Sequence, residues 1–268
     1  MKLLTLLTIT IVLMAPVLAQ TPSVAEAQAK QELIEAVRAY REGRFAESQA
    51  HSEKALQLDP QNKLAPFYVA RTIHAQYKFG DFTPENVAKA RQAIIAYQRV
   101  IDRVPADDEA YKAVAYLYGA LKEEELQREW IFQRAGNVSL DNDKRAEAFV
   151  RLASKDWDCS FRITELPGNK VTTVKGNKAY VRYRMPKELV EFERAKECAN
   201  HALEMASMAI ILNPENESAW AYKTNIILEL AKLAEMSGDV RQKRELHRQY
   251  EEALSETTKL SKRVQSNP

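Results

Sequence analysis

The chain repeats one plan: a helical stretch, a short turn, a second helical stretch with small residues on one face, and a proline that stops it. From Leu33 to Pro60 the turn holds Gly43 and Phe45, and Ser48, Ala55 and Leu56 share a face of the second stretch. Val69, Ala70 and Ile73 begin another copy, which turns at Gly80, Asp81 and Phe82 and runs through Ala93, Tyr97, Val100 and Ile101 to Pro105. A period of this kind constrains the fold more than any single motif, because a helix pair this short buries its apolar face only against the next pair. With 7 glycines and 10 prolines in 268 residues there are few turns, so the elements between them must be long. Ala, Glu, Lys, Leu, Arg and Gln, all good helix formers, fill them.

A third copy carries Tyr111, Val114, Ala115 and Tyr118, with a less regular partner around Trp130, Phe132 and Ala135. Ala146, Phe149, Val150 and Ala153 open a fourth, whose partner comes only later, as Ala202, Ala206 and Ala209 leading to Pro214. Trp220 opens a fifth that turns at Gly238 and Asp239. These residues resemble the tetratricopeptide repeat, in which small residues let paired helices approach, bulky ones fill the neighbouring repeat and a proline ends the second helix. The resemblance implies an all-α, tetratricopeptide-like solenoid of about five helix pairs, a single domain over residues 20–268. The family period is about 34 residues. Here Pro60 to Pro105 is 45 and Pro105 to Pro214 is 109, so an insertion is expected in each interval.

The larger insertion is placed at 158–186, inside the fourth helix pair. Residues 160–165, 170–175 and 178–184 are rich in β-branched and aromatic side chains, and Pro167, Gly168, Asn169, Gly176 and Asn177 punctuate them as turns. A two- or three-stranded antiparallel meander is expected, too small to stand alone and therefore leaning on helices. It is either a contact surface or a decoration that only packs. The charged stretch 239–263 is read as a capping helix with one apolar side of Val240, Leu246, Tyr250, Leu254 and Leu260, the alternative being a binding helix.

Lys2 followed by an apolar run from Leu3 to Met14, with Val17 and Ala19 ahead of Gln20, reads as a signal peptide at 1–19; a retained membrane anchor is the alternative. The expected location is periplasmic or secreted, with no membrane span after cleavage. Export puts Cys159 and Cys198, which are the cysteines of the chain, where disulfides persist, and they are expected to pair; two buried free thiols are the alternative. Basic and acidic residues number 39 and 37, a balance that argues against nucleic acid as partner.

Catalytic and metal-binding signatures are missing from the sequence. His51, His74, His201 and His247 are far apart, and none has a second histidine or a cysteine at metal-ligand spacing. Neither a phosphate loop nor a nucleophile elbow occurs. The reading is therefore no enzyme, no metal and no cofactor. What the resemblance implies instead is a protein or peptide held on a concave surface lined by each first helix. Carried over, that face comprises Phe67, Arg71, His74 and Lys78, then Lys112 and Tyr116, then Lys144, Arg151 and Lys155, then Tyr222 and Asn225. Six of these eleven are Lys or Arg, which suits an acidic segment or a chain terminus, against the alternative of a solvated basic face. The function expected is an interaction scaffold or assembly factor of the cell envelope. The alternative is a permanent accessory subunit of a larger envelope or membrane complex, docked through the β insertion and the C-terminal helix.

Overall fold

The computed structural model describes residues 23–266. It contains ten helices and one two-stranded antiparallel sheet among those residues, so the fold class is all-α as expected. Contacts divide the chain after Tyr77 into two compact units. The first holds α1 (Val24–Arg41), α2 (Phe45–Leu58) and α3 (Ala65–Ala75). The second holds α4 (Pro84–Arg103), α5 (Asp108–Ala120), α6 (Glu124–Gly136), α7 (Asn142–Thr164), β1 (Lys170–Lys175), β2 (Lys178–Tyr183), α8 (Leu189–Leu212), α9 (Glu217–Met236) and α10 (Val240–Ser266). The signal-peptide reading at 1–19 lies outside the described residues.

The helix ends follow local chemistry. Asp107, Asp141 and Asn216 each accept a backbone N–H of the first turn, from Ala110, Lys144 and Ala219, and so start α5, α7 and α9. Ser23 and Glu26 form a reciprocal capping box at α1. α2, α4 and α8 stop one or two residues ahead of Pro60, Pro105 and Pro214. Gly43, Gly80 and Gly238 adopt φ of 75°, 80° and 75° in the turns after α1, α3 and α9, where a side chain would be strained. In the turn after α5 the same left-handed conformation falls to Lys122, at φ 60°.

In the first unit α2 packs on both α1 and α3. Ala29, Leu33, Ala55 and Ala65 form its core, and buried Ser48 donates its hydroxyl to the carbonyl of Ala36, 2.7 Å away. In the second unit each helix packs on its chain neighbour from α4 through α10, with α7 also reaching α9, the neighbour-only pattern of a repeat stack. Alanines set the spacing. Ala146, Ala153, Ala202, Ala206 and Ala209 are fully buried where α7 meets α8, and Phe149, Leu152, Met205 and Ile226 fill the space around them.

The insertion is shorter than expected and is a hairpin. Residues 160–164, expected as strand, are the last turn of α7. Ser160 and Thr164 sit at i and i+4 on the helix face buried against α9, where both hydroxyls donate to the Glu229 carboxylate. That tertiary contact outweighs the β propensity of the segment. The interruption of helix is therefore 165–188, not 158–186. Its ribbon pairs Lys170 with Tyr183 through Lys175 with Lys178 across a tight turn at Gly176.

Cys159 on α7 and Cys198 on α8 are joined by a disulfide with Cα atoms 6.0 Å apart. Below it lies a polar junction. Glu229, only 1% exposed, is held by Lys232 at 2.8 Å besides the two hydroxyls. The Lys232 ammonium also reaches Glu165, at 2.8 Å, and lies over the rings of Phe161 and Tyr183. Glu165 accepts from Lys170 and from the Tyr183 hydroxyl, and the Tyr183 N–H donates to Glu235 on α9 at 3.2 Å. The hairpin thus stands on α7 and α9 through charge and hydrogen bonds, with Tyr183 also packed against the apolar cluster of Phe192, Ala195, Ala199, Leu233 and Met236.

Candidate functional site

α5, α6 and α7 enclose an open groove of about 450 Å³. Lys112 and Tyr116 come from α5, Gln127 and Ile131 from α6, and Arg151, Ser154 and Lys155 from α7, with Tyr111 and Ala115 completing the lining. Lys112 and Tyr116 share a face of α5 through i,i+4 spacing, as do Arg151 and Lys155 on α7. The opposite faces, with Val114 and Leu117 on α5 and Leu152 and Ala153 on α7, are buried and fix how both helices are turned.

The groove carries three cations and no carboxylate in its lining. Among the described residues, none of Lys112, Arg151 and Lys155 has a carboxylate oxygen within 4.0 Å, although ion pairs form on neighbouring helices, Arg91 with Glu123 and Arg128 with Asp156 among them. Tyr116 is half exposed, and its ring lies 6.4 Å from that of Phe79. Tyr111 is 5% exposed, stacked on Trp130 and covered by the Arg134 guanidinium, yet its hydroxyl has no hydrogen-bond partner. Burial pushes that phenol up to about 12, against the pull of Arg134 and Arg151. A buried hydroxyl left unpaired costs on the order of 1–3 kcal/mol.

Four of the eleven expected residues, Lys112, Tyr116, Arg151 and Lys155, therefore meet in one groove. The others stand elsewhere. Phe67, Arg71 and His74 lie on α3 in the first unit: Phe67 is edge-on to Tyr68, Arg71 stacks over Tyr40, and burial lowers the pKa of His74. Lys78 is exposed ahead of α4, its backbone N–H and carbonyl both bonded to the Asn86 amide. Lys144 is turned away from the groove, to Asp108 at 3.0 Å and the Ala106 carbonyl at 2.8 Å. Tyr222 supports the wall, accepting from the Ser154 hydroxyl at 2.8 Å and packing on Trp157. Asn225 is exposed on α9.

Sequence reasoning missed Tyr111, Gln127, Ile131 and Ser154. Gln127 and Ile131 come from a second helix, which the repeat rule leaves out of the groove. The signal for Gln127 was Gly119, a glycine inside a helix with no turn to make. A Cβ there would sit 2.7 Å from the Gln127 amide nitrogen, and that amide reaches past the glycine to the Ala115 carbonyl, also at 2.7 Å.

No protein-family model matches the sequence, and no curated protein matches it either. Among solved structures the chain is similar to MamA from Desulfovibrio magneticus, at 11% identity and a TM-score of 0.43 over 90% of this chain and 97% of that one. A thermophilic TPR protein of Thermus thermophilus gives 16% and 0.31 over 84% and 98%. A tetratricopeptide repeat protein from Parabacteroides merdae gives 11% and 0.36 over 90% and 93%. The caps, turns and alanine-packed faces of this chain's helices are tetratricopeptide-like. No described helix is long and apolar enough to cross a membrane.

Proposed function

We propose that this protein is a non-catalytic scaffold or assembly factor of the cell envelope, and that the groove between α5, α6 and α7 holds an acidic segment or a chain terminus of a partner protein or peptide. The observation that carries the reading is the meeting of Lys112, Arg151 and Lys155, without carboxylate partners among the described residues, in a groove also lined by Tyr111, whose buried hydroxyl is unpartnered. Each is a donor that a carboxylate would satisfy, and Tyr116 adds apolar contact at the rim. Export agrees with the Cys159–Cys198 disulfide, a bond that persists in oxidising compartments. Intact-mass spectrometry of the purified chain tests that part, a chain beginning at Gln20, free or cyclised to pyroglutamate, being expected.

The groove is tested by fluorescence anisotropy with acidic, neutral and basic 12-residue peptides. The acidic set is expected to bind, and a Lys112→Ala, Arg151→Ala, Lys155→Ala variant to lose at least about tenfold in affinity, since charge-assisted hydrogen bonds contribute on the order of 1.5–3 kcal/mol each. Tyr111→Phe separates binding from folding. It is expected to weaken binding while leaving the protein as stable or more so, because it removes the unpaired hydroxyl. Equal peptide affinity in the wild type and the triple variant would overturn the reading.

A further inference from the structure

The hairpin is the most one-sidedly charged segment of the chain. From Lys170 to Lys187 it carries Lys170, Lys175, Lys178, Arg182, Arg184 and Lys187 and no Asp or Glu. Lys170 is spent on Glu165, and Arg182 lies near enough to Glu235 to help lower its pKa. Among the described residues, Lys175, Lys178, Arg182, Arg184 and Lys187 have no carboxylate oxygen within 4.0 Å, whereas charged side chains elsewhere pair freely along and between helices.

The register sorts the ribbon into two faces. Thr172 with Val181 and Val174 with Ala179 lie on one, and Arg182 with Val171, Tyr180 with Thr173, and Lys175 with Lys178 on the other. Val174, Tyr180 and Val181 are 71%, 49% and 43% exposed, and the chain leaving the ribbon adds Met185, Leu189 and Val190 to the exposed apolar residues. Burial of the ribbon against the protein stops at its base, where Asn169, Lys170 and Tyr183 are tied down.

We infer that this hairpin is a docking element for an anionic lipid surface. Charge complementarity selects that occupant. A ribbon with unpaired cations on one face and exposed valines on the other matches phosphate headgroups above an acyl boundary. Two strands are narrow enough for Lys and Arg stems to bend toward headgroup phosphates while the valines rest on the acyl boundary. Single-stranded nucleic acid would need stacked aromatics, and Tyr180 is the one exposed aromatic of the ribbon. The anchoring on α7 and α9 holds the element at a fixed attitude. This inference is independent of the groove.

The test is co-sedimentation of the protein, purified as it occurs in cells, with phosphatidylglycerol–phosphatidylcholine vesicles and with pure phosphatidylcholine vesicles. Binding is expected to the first and not the second, and to fall steeply between 0.05 and about 0.5 M NaCl as the Debye length shrinks. A Lys175→Gln, Lys178→Gln, Arg182→Gln, Arg184→Gln variant is expected to bind at least about a hundredfold more weakly, each cation contributing roughly fivefold. Val174→Ser with Val181→Ser, which leaves every charge in place, is expected to reduce binding severalfold. The groove triple variant is expected to bind vesicles as the wild type does. Absence of wild-type binding, binding indifferent to lipid charge, an unaffected quadruple variant, or equally variant-sensitive binding to an oligonucleotide would each overturn the inference.

Discussion

The α5–α6 pair and the α7–α8 pair solve the same problem in different ways. α5 and α6 are 13 residues each, and the short turn between them holds Lys122 in a left-handed conformation. Gly119 leaves room there for the Gln127 amide to reach the α5 backbone. α7 and α8 run to 23 and 24 residues, and a whole hairpin stands where the turn would be. Their closeness comes from buried alanines and a disulfide, while a junction built on buried Glu229 of α9 ties the end of α7 and the hairpin to the next helix. The difference teaches that the turn between paired helices need not hold them together. Once side chains lock the pair, a longer connection adds little closure entropy, and the turn becomes a place to carry an insertion.

If side chains and not the connection hold this region together, the largest loss should come from the charged junction of α7, the hairpin and α9. Lys232→Met leaves Glu229 buried without its cation and is expected to lower unfolding free energy by about 3–5 kcal/mol in urea titration followed by circular dichroism. A loss as small as that of an exposed ion pair, below about 1 kcal/mol, would show that the junction is not what holds the hairpin. Replacing both cysteines by serine should remove about 2–4 kcal/mol, with the effect absent when wild type and variant are compared under reducing conditions.

In the short pair the turn itself is the weak point, and the sign reverses. Lys122→Gly should stabilise by about 1 kcal/mol, partly offset by losing the ammonium over the Phe82 ring. A neutral or destabilising result would mean that the α5–α6 turn is not strained. A further effect is one of pH. Burial opposes the charge of Glu165, but hydrogen bonds from Lys170, Lys232 and Tyr183 outweigh it and bring its pKa down to about 2. A depressed carboxyl contributes stability above its unfolded value of 4.5, and that stability is lost as pH falls from there toward 2. Glu165→Gln should flatten the stability profile in that window, and an unchanged slope would remove Glu165 from the junction.

The repeat plan was legible because it is local. Prolines at 60, 105 and 214, turn glycines at 43, 80 and 238, and alanines at helical spacing specify helices, stops and close faces without reference to distant residues. The same local reading went astray at 160–164, where β-branched side chains suggested a strand. Glu229, 65 residues beyond Thr164, supplies the partner that makes a helix the better answer there. The groove was half legible for a related reason. The face carried over from the tetratricopeptide resemblance put Lys112 with Tyr116 and Arg151 with Lys155 on the exposed sides of their helices. Lys144 has the same kind of position on α7, but Asp108 and the Ala106 carbonyl hold it elsewhere.

By itself the sequence determined an all-α chain of tetratricopeptide-like pairs, a hairpin around Gly176, and an exposed basic face on α5 and α7. Periodicity, caps and turn chemistry act over a few residues and are written in order along the chain. Only the tertiary structure decided the division after Tyr77, the bridging of Cys159 to Cys198, which cations stay unpaired, and that Gln127, Ile131 and the buried Tyr111 join the groove. Each of these depends on which side chains from remote segments compete for the same charge or space, and that competition is settled only when the helices pack.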